Sequence, residues 1–119
     1  MEISLREVVD MKQSLESLLK LSLPAKVSFR LGKVFRQIQQ EQRDFEGQRE
    51  NLIRKYGSEN KDKNEVRVLN ENIDSFMKEV NSLLEEKISI NYEPMSISDL
   101  NNVSISVEDM SVLSLFFKD

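Results

Sequence analysis

An apolar pattern of helical period extends over residues 25–56 and constrains the fold more than any other feature of the sequence. When successive residues are placed about 100° apart, the apolar side chains fall within an arc of about 100°. The pattern predicts one long helix over 25–56, with Gly57 at its C-terminal cap. Its apolar face consists of Val27, Leu31, Val34, Phe35, Ile38, Phe45, Leu52, Ile53 and Tyr56.

The predicted length of this helix sets the shape of the molecule. At 1.5 Å per residue it would span roughly 48 Å. That exceeds the diameter expected of a compact domain of 119 residues. Three arrangements are therefore open: the molecule is elongated, the helix kinks near Gly32 or Gly47, or another chain covers part of it.

Three further helices follow from spacing and capping residues. Ser4 and Glu7 have the capping-box spacing and begin a helix over about 5–22. Apolar residues at i, i+3, i+4 and i+7 predict a helix over about 73–86, capped by Asn70 or Asn72. Ser106 is a predicted cap for a last helix over about 107–117, whose apolar side includes Phe116 and Phe117.

The remaining segments predict a loop and two short strands. Residues 58–65 are polar and are expected to form an exposed loop. Weak alternation at 65–69 and clearer alternation at 88–92 predict strands, which would run parallel if they pair across the intervening helix. A short helical turn is expected at 98–101.

Together these elements predict a mainly α (α+β) fold in a single domain over 1–119. The helices over 25–56 and 73–86 form a long hairpin, the N- and C-terminal helices flank it, and one or two short strands complete it. Internal repeats and low-complexity linkers are absent from the sequence.

The composition excludes most catalytic chemistry. The chain has no Cys, His or Trp, so a thiol nucleophile, a Cys/His zinc site and a Ser-His-Asp triad are impossible. Its three glycines, at positions 32, 47 and 57, do not form a phosphate-binding loop. We therefore expect a protein without enzymatic activity and without a catalytic residue, metal, cofactor or small-molecule ligand.

The sequence also bears on location. No apolar run approaches the roughly 18–20 residues that cross a bilayer. The first ten residues carry charges where a signal peptide needs an apolar segment. The expectation is a cytoplasmic protein without membrane contact.

The net charge of −4 is unevenly distributed, and the basic part lies in the long helix. Residues 24–56 carry +4, whereas residues 57–119 carry −7. These opposite charges favour contact within the chain or between two copies over contact with nucleic acid.

One stretch of the long helix contains candidate partner-binding residues. On the side away from the apolar face lie basic residues with one aromatic neighbour: Lys26, Phe29, Arg30, Lys33 and Arg36. A basic row next to an aromatic side chain is typical of surfaces that bind nucleic acid. Alternatively, Ala25, Phe29 and Gly32 form a second packing face against a neighbouring helix. We expect packing, because a single aromatic residue is a weak indication of base stacking.

A set of short motifs extends over nearly the whole chain: Leu23-Pro24-Ala25-Lys26, Lys55-Tyr56-Gly57, Phe76, Leu83-Leu84, Ile88, Ile90 and Ile97-Ser98-Asp99-Leu100. In these motifs the chain resembles small proteins of bacteriophages and prophages that have no assigned activity. The resemblance implies a viral accessory or assembly protein, located in the host cytoplasm or the virion, with no catalytic residue.

These expectations combine into two functional hypotheses. The first is a non-enzymatic accessory or assembly protein of phage type that acts through helix-mediated protein–protein contact, chiefly with further copies of itself. The alternative is a regulator or inhibitor that binds a host enzyme or nucleic acid through the basic face of the long helix.

Overall fold

One unbroken helix, α2 (Ala25–Tyr56), runs along the molecule in this computed structural model, which describes residues 1–60, 65–100 and 103–118. Its bounds are those predicted. The helix continues through Gly32 and Gly47, and the molecule measures 54 × 29 × 22 Å. Of the three arrangements that the helix length left open, the structure has the elongated one. We call the end of the molecule at Tyr56 the distal end.

Helix α1 (Leu5–Leu19) packs along the N-terminal half of α2 and follows a short strand, β1 (Glu2–Ser4). The predicted capping box is present. The Glu7 N–H donates to the Ser4 hydroxyl at 3.2 Å, and the Ser4 N–H donates to the Glu7 carboxylate at 3.4 Å. The helix ends at Leu19, three residues before the predicted position 22, and Lys20 forms its C-cap.

A hairpin of strands β2 (Gly57–Asn60) and β3 (Glu65–Val68) follows α2 directly. The prediction of an exposed loop over 58–65 is therefore wrong for residues 58–60 and 65, and residues 61–64 lie outside the described part of the chain. The residues of β2 are Gly or polar, so the sequence shows no alternation of apolar and polar residues that would predict a strand. The pairing depends on backbone hydrogen bonds, which any residue with a free N–H and C=O can form.

The C-terminal end of α2 is closed differently from the predicted glycine cap. Gly57 is extended (φ −108°, ψ 175°) and begins β2. The carbonyl oxygen of Tyr56 instead accepts hydrogen bonds from the Leu69 N–H at 3.2 Å and the Asn72 side-chain amide at 3.1 Å. Asn72 belongs to a 3-10 turn (Asn70–Asn72) that leads into α3 (Ile73–Leu84), and its side chain makes no hydrogen bond to α3 as a cap.

Helix α3 runs back toward α1 and is followed by β4 (Lys87–Ser89), which pairs with β1 in antiparallel orientation. The predicted parallel pairing of the 65–69 and 88–92 strands is wrong. Twelve helical residues carry the chain roughly 18 Å away from β3, and only two residues separate α3 from β4. The two strands therefore lie at different ends of α3. Strand β3 pairs with β2, and β4 pairs with β1.

The C-terminal region packs around the N-terminal halves of α1 and α2. Strand β5 (Met95–Ser96) and a 3-10 turn (Ile97–Leu100) precede α4 (Val107–Leu113), and β6 (Phe117–Lys118) pairs with β5 in parallel. The turn confirms the expectation for 98–100, while residue 101 lies outside the described residues. The last helix stops at residue 113 rather than 117. Phe116 and Phe117 are buried, as their apolar character predicts, but they lie beyond the helix, and Phe117 begins β6.

The hydrophobic core lies mainly between α1, the N-terminal half of α2 and the segment after β4. Toward the distal end only Phe45 and Val80 are buried among the described residues. The chain is thus mainly α with small two-stranded sheets, as predicted, but α1 and the C-terminal segment supply most of the packing. The buried side chains are Ile3, Leu5, Val8, Met11, Leu15, Leu18, Val27, Leu31, Val34, Ile38, Phe45, Val80, Ile90, Met95, Leu100, Phe116 and Phe117.

Candidate functional site

A groove of about 480 Å³ lies between the N-terminal half of α2 and the segment that follows β4. The helix supplies a basic and aromatic wall, and residues 91–93 supply the opposite wall. Four of the five predicted partner-binding residues therefore meet in one cavity, whereas Arg36 does not line it. The lining side chains are Lys26, Phe29, Arg30, Lys33, Gln37, Asn91, Tyr92 and Glu93.

The segment opposite α2 is held in place by two long-range anchors. Gln37 forms two hydrogen bonds with the backbone of Asn91. Farther along, the Arg30 guanidinium pairs with the Glu93 carboxylate at 3.2 Å and donates to the Pro94 carbonyl at 3.1 Å. The groove therefore has a defined shape in the isolated chain, because both walls are connected through named contacts.

Tyr92 connects the groove to the hydrophobic core. Its ring meets the buried Phe116 ring edge-on, with centroids 5.5 Å apart and planes at 80°. Edge-to-face pairs of this kind are favourable beyond the area they bury. The contact orients Tyr92 in the wall of the groove.

Phe29 is the most unusual residue of the groove, because 63% of it is exposed to solvent. The Lys33 ammonium lies 4.6 Å from its ring centroid, within the range of a cation–π contact. The packing interpretation of Ala25, Phe29 and Gly32 is wrong. A Cβ atom placed on Gly32 would have no neighbouring atom within 4 Å, so no other described element packs closely against the helix at this position.

The charges in the groove are only partly neutralised. Arg30 is paired with Glu93, whereas neither Lys26 nor Lys33 makes an ion pair with any residue that the structure describes. The groove thus offers two unpaired ammonium groups on either side of an exposed aromatic ring, a combination that attracts an anionic ligand with a flat apolar part.

A second candidate surface lies at the start of α3, where three apolar side chains spaced four residues apart in the sequence, one before the helix and two on it, remain exposed. Leu69, Ile73 and Met77 are 39%, 41% and 47% exposed, respectively, and we call them the α3 apolar edge. The sequence pattern had assigned Ile73 and Met77 to the core. Asp74 and Lys78, both exposed, lie beside this edge.

An exposed ion pair joins α3 to the distal end of α2. The Lys55 ammonium lies 3.3 Å from both carboxylate oxygens of Glu79. A hydrogen bond with the Tyr56 side chain, followed by that from Lys55, lowers the pKa of the Glu79 carboxyl, and the same carboxylate is the main cause of the raised pKa of Lys55.

Within the described residues, no group of three or more acidic side chains is arranged to hold a metal ion. Likewise, none of the helices described is both long and apolar enough to span a bilayer.

No family model, curated protein or solved structure matches this chain.

The sequence indicated four residues of the helical wall, but not Gln37 on the same helix and not the opposite wall formed by Asn91, Tyr92 and Glu93. Gln37 and Asn91 are 54 residues apart in the chain, and nothing local predicts that they meet. The alternation at 88–92 indicated an extended segment, but not the direction in which it crosses α2.

Proposed function

We propose that this chain is a non-enzymatic interaction protein that self-associates through the α3 apolar edge and serves as an assembly component. A phage accessory role is the form of this function that the sequence resemblance implies. The observation that supports self-association is the exposure of Leu69, Ile73 and Met77 on one side of the distal end.

The apolar edge has the character of an interface. Scattered exposed apolar residues are common on protein surfaces, but neighbouring ones bounded by polar residues mark interaction sites. Ile73 and Met77 are one helical turn apart on α3, and the exposed Leu69 lies between β3 and the 3-10 turn that precedes the helix. Covering this row with an apolar partner would remove it from water.

The charges beside the edge are self-complementary. If two α3 helices pair in antiparallel orientation with the two-fold axis at the level of Phe76, Asp74 of one copy lies level with Lys78 of the other. In the same arrangement, Ile73 and Met77 of the two copies alternate along the seam. A two-fold contact of this type uses the same patch twice and is the commonest form of protein self-association.

Size-exclusion chromatography with light scattering tests the proposal. At tens of micromolar protein we expect a mass near twice the monomer's 13.9 kDa. Met77→Lys should give the monomer. The matched control is Ile97→Lys, which replaces another apolar residue of similar exposure, 45%, outside the edge and should leave the dimer intact. A monomeric wild-type chain would contradict the proposal.

Charge exchange tests the geometry separately. Asp74→Lys and Lys78→Asp should each weaken association, because like charges would then face one another across the two-fold axis. The double variant should restore association, since each pair again joins opposite charges. Circular dichroism confirms that every variant remains helical. Failure of the double variant to recover would exclude the antiparallel arrangement centred on Phe76.

A further inference from the structure

We propose that the groove between α2 and the segment after β4 binds one nucleotide of a single-stranded nucleic acid, with a base stacked on Phe29 and the adjacent phosphates at Lys26 and Lys33. This site is separate from the α3 apolar edge, so it does not depend on self-association.

The groove has suitable dimensions and a stable shape. Its volume of about 480 Å³ falls in the range of sites that hold small molecules, roughly 300–1,000 Å³. The Gln37–Asn91 and Arg30–Glu93 contacts fix its two walls before any ligand arrives. A nucleotide would therefore enter a preformed site, and little ordering of the protein would oppose binding.

Phe29 indicates a flat, unpaired ligand. The ring is 63% exposed, and a Cβ atom on nearby Gly32 would meet no atom within 4 Å in the part of the chain that the structure describes. Aromatic side chains in such positions stack on bases of any sequence, because every base has a π-face. Stacking requires a base that is free of its own neighbours, which favours single strands over duplexes.

The charge distribution indicates phosphate and limits how much of it is contacted. Lys26 and Lys33 make no ion pair within the described chain, whereas Arg30 is already held by Glu93. The whole chain has a net charge of −4, so a polyanion is repelled outside the groove. The Lys33 ammonium lies over the Phe29 ring at 4.6 Å. An acidic peptide would satisfy the lysines but leave the exposed part of the ring unused.

Fluorescence anisotropy with labelled twelve-residue oligo(dA) and oligo(dT) strands tests the proposal on the intact protein. Both strands should bind at low salt. Two neutralised phosphates predict a slope of about −1.4 for log K against log salt, and Lys26→Ala should reduce it to about −0.7. Lys20→Ala, at the C-cap of α1 and outside the groove, is the matched control and should leave the slope unchanged.

Phe29→Leu removes the aromatic ring and keeps an apolar side chain, so it tests stacking. Because the position is 63% exposed, the variant should remain folded, which circular dichroism checks. Loss of stacking should weaken binding at least about 5-fold. Unchanged binding of this variant would overturn the proposal. So would the absence of binding at low salt, competition by poly-glutamate as effective as by unlabelled strand, or equal affinity for the duplex or for AMP.

The two proposals fail independently. Met77→Lys, which should abolish self-association, lies on α3 and should leave the affinity of each groove for a short strand unchanged. Conversely, Phe29→Leu should leave the mass measured by light scattering unchanged.

Discussion

The side-chain amide of Gln37 takes the place of a neighbouring strand for Asn91. Its Nε2 group donates to the Asn91 carbonyl oxygen at 2.6 Å, and the Asn91 N–H donates to its Oε1 at 2.9 Å. One side chain thus satisfies both backbone groups at the point where the chain leaves β4 and crosses α2. The position of the whole groove wall depends on this pair together with Arg30.

Gln37→Ala should destabilise the fold by about 1–2 kcal/mol, because two hydrogen bonds to the Asn91 backbone and a longer one to the Lys33 carbonyl are lost, while water can still reach the freed backbone groups. Urea denaturation measures this. Gln40→Ala is the matched control on the same helix, since Gln40 bonds only to its helical neighbours Asp44 and Arg43 among the described residues. Equal losses for the two variants would show that the crossing contact contributes nothing.

Leu31→Ala should cost about 2–5 kcal/mol, because the side chain is fully buried in the region where α1 packs on α2. Leu21→Ala, which truncates a leucine that is 38% exposed between the two helices, should cost much less. Thermal and urea unfolding give both values. A small effect of Leu31→Ala would place the core elsewhere.

Gly47→Ala should stabilise the protein by about 0.5–1 kcal/mol. The residue lies inside α2, and an added Cβ would have no neighbour within 4 Å, so only the higher helix propensity of alanine is felt. A rise in the urea midpoint without a change in slope is the expected result. Destabilisation would mean that this position is covered by a partner.

Glu79→Gln should remove a pH-dependent part of stability. The folded pKa of Glu79 is lowered, by Tyr56 first and then by Lys55, so its stabilising effect is present above the unfolded pKa and is lost as pH falls through the folded one. Wild type and variant should therefore differ near neutral pH and converge in acid.

The effect of Glu79→Gln is expected to be small, because the pair is exposed and screened by solvent. Glu50→Gln controls for the loss of one negative charge. A difference between wild type and Glu79→Gln that persists undiminished in acid would show that the carboxylate charge is not its cause.

Local features of the sequence were predicted well, because they depend on residues close together in the chain. The bounds of α2 follow from its apolar period, and the Ser4–Glu7 capping box from a spacing of three residues. Partners distant in the chain were not predictable in this way. The antiparallel pairing of Ile3 with Ile88 depends on where α3 ends, which no local pattern encodes.

The candidate surfaces show the same division. The basic row on α2 was visible in the sequence, but the exposure of Phe29 was not, because helical spacing alone does not reveal whether another helix covers it. Ile73 and Met77 satisfy the apolar template of a core-facing helix, yet α2 covers only part of that face. Amphipathic period identifies the apolar side of a helix without identifying what covers it.

The uninterrupted course of α2 fixes the distance between the two surfaces. Phe29 and Tyr56 are separated by about 40 Å of continuous helix at 1.5 Å per residue. Two copies joined at their distal ends would point in opposite directions and hold their grooves about 80 Å apart. Such a particle is bivalent with a rigid spacing, so a strand long enough to reach both grooves would be retained far better than a short one.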